Sequence, residues 1–306
     1  MPEQIDGLPR GEVRSVSTDT LLHITDLHFW KVILNPLKLC NKRFLGNLNV
    51  MLHRRHHFLT QHAAAFSDQL VSRRIPQLLI SGDLSSSALD AEFEEAAAFV
   101  AGLKRRGMFP ISIPGNHDVY TFESVRARRF DRYFGDAPLE GGLPAIRTLT
   151  GGTPLLLIPT VCPNLLSSRG RVTQAVLAET VAHLAECVSP LLVCGHYPLL
   201  HETYAYRTKT SRGLRNAEGL RRALGESGKD ILYLSGHVHR FSYVQDMEYS
   251  NLRHLTSDAF FRNDPRTGVC GAYSEVRVAD GAFKVFRHYH DNEWHVSEIS
   301  ARTATA

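Results

Sequence analysis

The chain has 306 residues, 43% of them hydrophobic and 22% charged, which is the composition of a globular protein with a substantial core. A formal charge of only +4 suits anionic substrates but is too weak to argue for nucleic acid, and no specific nucleic-acid partner is predicted. No apolar run approaches bilayer-spanning length, and the polar amino-terminal stretch lacks the apolar segment of a signal peptide.

The expectation is therefore a soluble, cytoplasmic protein. Five cysteines, Cys40, Cys162, Cys187, Cys194 and Cys270, form no CxxC or other zinc spacing and read as reduced thiols. Histidine is the compositional excess, with sixteen copies. It is both a frequent metal ligand and a proton shuttle near neutral pH.

Residues 1–18 are polar and read as a loosely held leader. The run Thr20–Thr25 is a first strand and leads directly into Asp26-Leu27-His28. In an extended segment residues two apart point the same way, so a carboxylate and an imidazole could grip one metal together. From Phe29 to Ser67 there is no Asp or Glu, while Lys31, Lys38, Lys42, Arg43, Arg54 and Arg55 supply positive charge. Apolar residues from Phe44 to Leu59 recur at roughly helical spacing. This basic insertion, at about 30–60, could lie on an anionic lipid surface. The more usual fate of such a segment is to pack its apolar stripe on the domain.

A buried strand over Ile75–Ser81 is followed by Gly82-Asp83. Asp90 is placed to cap a helix running to about Arg106, with Phe93, Ala96, Ala97, Val100 and Leu103 as its inner face. The next strand, Phe109–Ile113, ends in Pro114-Gly115-Asn116-His117-Asp118. Taken alone, Gly-Asn-His-Asp could be a tight turn. Strand, helix and strand with a polar motif at each strand end is βαβ organisation and predicts parallel strands.

A helix over Glu123–Tyr133, a strand over Leu155–Ile158 and a helix over Val172–Val188 follow. The strand Leu191–Cys194 then ends in Gly195-His196, and Asp230–Ser235 ends in Gly236-His237-Val238-His239. Asp280-Gly281 between two alternating runs is a hairpin signal. No linker or repeat divides the chain, so one domain over 19–290 is expected, with 291–306 as a tail.

Five strand ends thus carry polar motifs, four of them with Gly immediately before the ligand-type residue. The set comprises carboxylates, one amide oxygen and several imidazoles, without a thiolate. Mixed oxygen and nitrogen ligation of this kind suits Mn, Fe, Zn or Ni. The number of donors exceeds what one ion needs. Two divalent ions about 3.5–4 Å apart, bridged by a carboxylate, would neutralise phosphate oxygens and hold a water as the hydroxide that attacks phosphorus in line.

In this order and spacing, Asp26-x-His28, Gly82-Asp83, Gly115-Asn116-His117-Asp118, Gly195-His196 and Gly236-His237-x-His239 resemble the calcineurin-like metallophosphoesterase family over about residues 20–240. The resemblance implies an α/β fold of two packed mixed β-sheets flanked by helices. It implies that Asp26, His28 and His239 hold one metal, that Asn116, His196 and His237 hold the other, and that Asp83 bridges them. By the same resemblance His117 binds phosphate and protonates the leaving oxygen, with Asp118 orienting its ring.

The layout looks most like the branch containing bacterial cyclic-nucleotide phosphodiesterases, so a phosphodiesterase is the leading expectation. The basic insertion after His28 raises a second one. Enzymes resembling this family cleave the pyrophosphate of UDP-diacylglucosamine, and by that resemblance a lipid-linked substrate would place the protein peripherally at the inner membrane face. A scaffold that binds metal without turnover is the alternative from another class. Every ligand position and His117 being present favours the enzyme.

Overall fold

A computed structural model describes residues 18–31, 57–135, 142–164, 167–200 and 212–303. The expected helix over 44–59 and the leader over 1–18 therefore fall almost wholly outside the described residues, as do Cys40 and most of the 30–60 insertion.

The first sheet is built around β1 (Asp19–Ile24), β2 (Gln77–Ile80) and β3 (Phe109–Ser112), which run parallel. Before β2 lies helix α1 (Ala63–Ser72), and between β2 and β3 lies α2 (Asp90–Arg105). Two short helices follow, α3 (Phe122–Arg126) and α4 (Arg129–Phe134). The single helix expected over Glu123–Tyr133 is broken because Arg128 adopts a left-handed φ of 46°. Nor does Asp90 cap α2. The helix begins at Asp90, and the buried Glu92 carboxylate reaches back to the Leu89 and Ser87 amides instead.

The second sheet contains β4 (Ala145–Thr148), β5 (Pro154–Leu157), β7 (Leu191–Cys194) and β9 (Ile231–Ser235), then β10 (Ser242–Gln245) and β11 (Leu252–Thr256). The minor strands β6 (Gly170–Arg171) and β8 (Leu214–Arg215) pair with each other. Helices α5 (Gln174–Glu186) and α6 (Ala217–Glu226) cover this sheet. After a two-residue pairing of β12 (Asn263–Asp264) with β13 (Val269–Cys270), the chain returns to the first sheet as β14 (Ala272–Ala279), β15 (Ala282–His290) and β16 (Trp294–Ile299). Asp280 and Gly281, at φ 53° and 76°, make the two-residue hairpin turn between β14 and β15.

The strand orders are β16-β15-β14-β1-β2-β3 and β17-β10-β11-β9-β7-β5-β4, where β17 is Arg302–Thr303. Of the expected tail over 291–306, the described residues 291–303 are no mere tail, because they supply an edge strand to each sheet. Trp294 helps hold it by packing against Phe66 and Tyr273.

Alternation along fully buried strands shows why two layers of helix are needed. Leu22, Ile24, Leu78 and Ile80 face α1 and α2, whereas Leu21 and Leu79 face the second sheet. In that sheet Leu155, Leu157, Leu192, Leu232 and Leu234 complete the core between the sheets, while Leu156, Val193 and Ile231 face α5 and α6. Both sheets mix parallel and antiparallel pairs, giving the expected sandwich of helix, sheet, sheet and helix.

Candidate metal centre

All five motifs lie at the carboxyl ends of parallel strands. Asp26 and His28 follow β1, Asp83 follows β2, and Asn116, His117 and Asp118 follow β3. His196 follows β7, and His237 with His239 follows β9. Because β1, β2 and β3 are neighbours in one sheet and β7 and β9 in the other, stacking the sheets brings both groups to one edge.

The backbone there is not extended. Asp26, His28, Asp83, His237 and His239 all have positive φ, between 50° and 69°. Asp26 and His28 are therefore not aimed by extended-strand alternation, contrary to the expectation from their spacing. Successive left-handed turns aim the side chains, and hydrogen bonds from the Asp26 amide to Gly82 O (3.0 Å) and from the His28 amide to Asp83 O (2.9 Å) hold them. Such conformations are costly for residues other than glycine and persist where surrounding structure over-determines them. A methyl group at Gly115 would collide with the amide nitrogen and Oδ1 of Asp83, so glycine is needed there for close approach of two loops.

Two clusters of donors result. Ligand atoms of Asp26, His28, Asp83 and His239 lie within 4.8 Å of one another. His28 Nε2 is 3.7 Å from Asp26 Oδ1 and 3.7 Å from Asp83 Oδ2, and His239 Nε2 is 3.1 Å from Asp26 Oδ1. In the second cluster Asn116 Oδ1 is 3.1 Å from His196 Nε2 and 2.8 Å from His237 Nδ1. His196 Nε2 is also 3.5 Å from Asp83 Oδ1. The two oxygens of Asp83 therefore face different clusters.

These donors fit cations. Among the described residues Asp26 Oδ1 is buried without a hydrogen-bond partner, and the Nε2 atoms of His28 and His239 face each other at 2.9 Å. The other ring nitrogens of the second cluster are already engaged. His196 Nδ1 lies 2.8 Å from Ser81 O, and His237 Nε2 lies 3.0 Å from Arg212 O, which leaves Nε2 and Nδ1 respectively to face the site.

Charge is distributed unevenly in the cluster as it stands. Burial would raise the Asp26 carboxyl, but the imidazoles, His239 above all, outweigh it and hold it below the usual range. Burial disfavours charge on His196, yet Asp83 and Asp26 outweigh that and raise it to about 9. Burial, with the charge of His196 beside it, keeps His237 well below its ordinary value.

His117 sits with its ring centroid 5.0 Å from that of His28 and stacks on Tyr120 at 5.2 Å. Its amide donates to Asp83 Oδ1 at 2.7 Å. The expected role of Asp118 does not survive. The group holding the His117 ring is the Ser86 carbonyl, 2.7 Å from Nδ1. The Asp118 carboxylate instead accepts from the amides of Leu84, Ser85 and Gly115 and from the Ser85 hydroxyl. It ties the loops after β2 and β3 together. Burial, and then the nearby Asp83, push its carboxyl up to about 7.

Several supporting residues carried no readable signal. Ser81 and Ser86 act through backbone carbonyls, which leave no trace in side-chain identity. Thr160 Oγ1 accepts from the His196 amide at 3.0 Å. His23, read as an ordinary residue, is buried between Ser81 Oγ (2.7 Å) and Ser257 Oγ (2.8 Å), and burial lowers it to about 3. It is a neutral strut behind the centre.

A paired-sheet sandwich with mixed carboxylate, amide and imidazole donors at its strand ends defines a metal-dependent hydrolase architecture. Residues 20–241 match the family described as calcineurin-like phosphoesterase, and the chain belongs to that family. It is a metal-dependent phosphoesterase. No curated protein matches its sequence significantly. Among solved structures it is similar to a dimetal phosphatase from Danio rerio, at 12% identity and TM-score 0.62, covering 92% of this chain and 99% of that one. It is also similar to a purple acid phosphatase from yellow lupin (Lupinus luteus) seeds, at 13% identity and TM-score 0.57, covering 93% of this chain and 53% of the other. At these identities the likeness concerns the fold. Within the described residues, no helix is long and apolar enough to cross a membrane.

Proposed function

We propose that the protein is a phosphodiesterase working at a pair of divalent transition ions. The observation that carries this reading is the placement of Asp83, whose two oxygens face two separate donor clusters. Asp26, His28 and His239 would hold one ion, and Asn116, His196 and His237 the other, with Asp83 between them. When bound, such a pair neutralises phosphate oxygens and makes a water nucleophilic at neutral pH.

The chain's own part is orientation and proton transfer. The Ser86 carbonyl accepts from Nδ1–H of His117 in both the neutral and the cationic ring, so proton exchange falls to Nε2. From there His117 binds a phosphoryl oxygen and delivers a proton to the leaving oxygen. Purified protein supplied with Mn²⁺ is expected to cleave bis-p-nitrophenyl phosphate, and Asp83→Ala to abolish the cleavage. Inactivity across Mn, Fe, Zn and Ni in a folded, metal-loaded protein would sink the reading.

A lipid-linked nucleotide is the second reading, supported by the acid-free run from Phe29 to Ser67 beginning one residue beyond His28. Its check is co-sedimentation with anionic liposomes, with and without residues 31–60; unchanged partitioning counts against it. The scaffold reading is addressed by the phosphodiesterase assay itself.

A further inference from the structure

His23 is a polar side chain at a position where the fold calls for an apolar one. It lies on β1 two residues after Leu21 and shares its face, so it points into the layer between the two sheets, fully buried. Both ring nitrogens are engaged there. Nε2 lies 2.7 Å from the hydroxyl of Ser81, just past the end of β2. Nδ1 lies 2.8 Å from the hydroxyl of Ser257, which follows β11 in the second sheet, and that oxygen is 2.6 Å from Ser274 Oγ on β14. Burial keeps the ring neutral at neutral pH. A neutral imidazole presents one donor and one acceptor, and a hydroxyl can answer either. His23 thus clamps one sheet to the other behind the strand ends that carry the donors.

Both ends of the clamp lead to the second donor cluster. The Ser81 amide donates to Ile24 O (3.1 Å), and its hydroxyl meets His23, so the residue is pinned at two points while its carbonyl faces His196 Nδ1 at 2.8 Å. On the other side the Ser257 amide donates to Ser235 O (3.0 Å), two residues before His237, and the Gly236 amide donates to His196 O (3.0 Å). The amides of Asp26 and His28 are held instead by Gly82 O and Asp83 O, contacts in which the His23 ring takes no part. A buried polar network costs desolvation that an apolar side chain would avoid, and what a satisfied one supplies is a single fixed arrangement.

We propose that His23 is a positioning residue for the metal centre, fixing Ser81 so that its carbonyl turns Nε2 of His196 toward the ion shared with Asn116 and His237. The inference rests on the two-ion reading of the site. His23 acts through Ser81 and touches neither ion nor substrate.

Variants that differ in which bond they keep test this. His23→Gln places a polar atom near the position of Nε2 and still reaches Ser81, whereas His23→Leu loses both bonds. Ser81→Ala removes the hydroxyl but leaves the carbonyl that faces His196, and it carries the test if His23→Leu fails to fold. Co²⁺ is titrated into the metal-free proteins and followed by calorimetry and by the visible absorption of the bound ion. The wild type is expected to take up two ions. His23→Leu and Ser81→Ala should each weaken one of them about tenfold, the low end for loss of support behind a ligand. The weakened ion should be the one that His196→Gln abolishes, with the other unchanged and His23→Gln binding as the wild type does. A general loss of stability would not separate the two ions. Equal weakening of both, or no weakening in either variant, overturns the proposal. If the wild type binds fewer than two ions, the two-ion reading fails by itself, and metal-free protein labelled with ¹⁵N-histidine decides the positioning role. The Nδ1–H resonance of His196, identified by its loss in His196→Gln, should persist in His23→Gln and shift or vanish in His23→Leu and Ser81→Ala. A resonance that stays put in both of the latter overturns the proposal.

Discussion

His117 Nδ1 is 2.7 Å from the carbonyl oxygen of Ser86, a residue thirty-one positions earlier on the loop after β2. The ring is thereby fixed from a neighbouring strand end rather than by the adjacent Asp118. Ser86 also donates its hydroxyl to His28 O at 3.2 Å, so one serine links the proposed acid to a proposed ligand loop. Replacing His117 by Gln is expected to lower kcat by about 10²–10⁴-fold, the usual share of general acid catalysis. Metal content and melting temperature should stay near wild type. A fall in bound metal would mean that His117 supports the centre instead.

Asp118→Asn is expected to behave differently. Oδ1 and Oδ2 of Asp118 between them accept three amides and a hydroxyl, and an Asn side chain would set an NH2 against at least one of these donors. A buried mismatch of that kind costs about 1–3 kcal/mol. Chemical denaturation of the metal-free protein should show the loss directly, accompanied by weakened metal binding. Unaltered stability would contradict the loop-tying role.

Metal uptake should depend on pH with a definite sign. In the metal-free cluster His196 keeps its proton up to about 9 because Asp83 and Asp26 outweigh burial. A metal needs the lone pair of its Nε2, so below about 9 binding releases that proton. Apparent affinity for the ion at this position should rise with pH, by about tenfold per unit for one proton released, and level off above about 9. Calorimetry in buffers of different ionisation enthalpy counts the proton. Affinity independent of pH from 6 to 9 would remove His196 from the ligand set.

Far from the centre, Glu275 on β14 accepts from Arg73 Nη2 (3.0 Å), Arg277 Nε (2.7 Å) and His288 Nε2 (3.0 Å). Burial pushes its carboxyl up, but His288 and the arginines outweigh burial and hold it at about 2, against 4.5 for an ordinary glutamate. The folded value is depressed, so the stabilisation is fully present above about 4.5 and disappears as pH falls through about 2. Glu275→Gln should destabilise the protein by about 3 kcal/mol at neutral pH, and the gap from wild type should close across that acid window. A gap that stays constant from pH 6 to 2 would show that another group carries the acid sensitivity.

Gly115→Ala probes the close approach of the loops after β2 and β3. The added methyl meets the Asp83 amide and carboxylate, so one of the two loops must move. Overpacking of this kind costs about 1–3 kcal/mol. The expected signature is reduced metal stoichiometry, because Asp83 is the residue displaced.

The sequence by itself determined the order of strands and motifs, since buried strands announce themselves as apolar runs and each run ended in a donor such as Asp83, Asn116 or His196. Sequence order also pointed to parallel strands, because β2, α2 and β3 follow one another with a motif at each strand end. Only the tertiary structure decided how those ends meet. The left-handed turns at Asp26, His28 and Asp83 depend on the neighbouring loops, and none of these is a glycine that would have marked them. The hold of Ser86 on His117 runs through a main-chain carbonyl, and every residue has one, so composition could not single it out. The pairing of His23 with Ser257 is a contact between distant segments, fixed when the chain between β11 and β14 packs over the strand ends. The edge strand at Trp294–Ile299 was likewise invisible, because its alternation is weak and its burial comes from partners elsewhere in the chain. Chemistry at strand ends is local and readable, whereas orientation and support are made by packing.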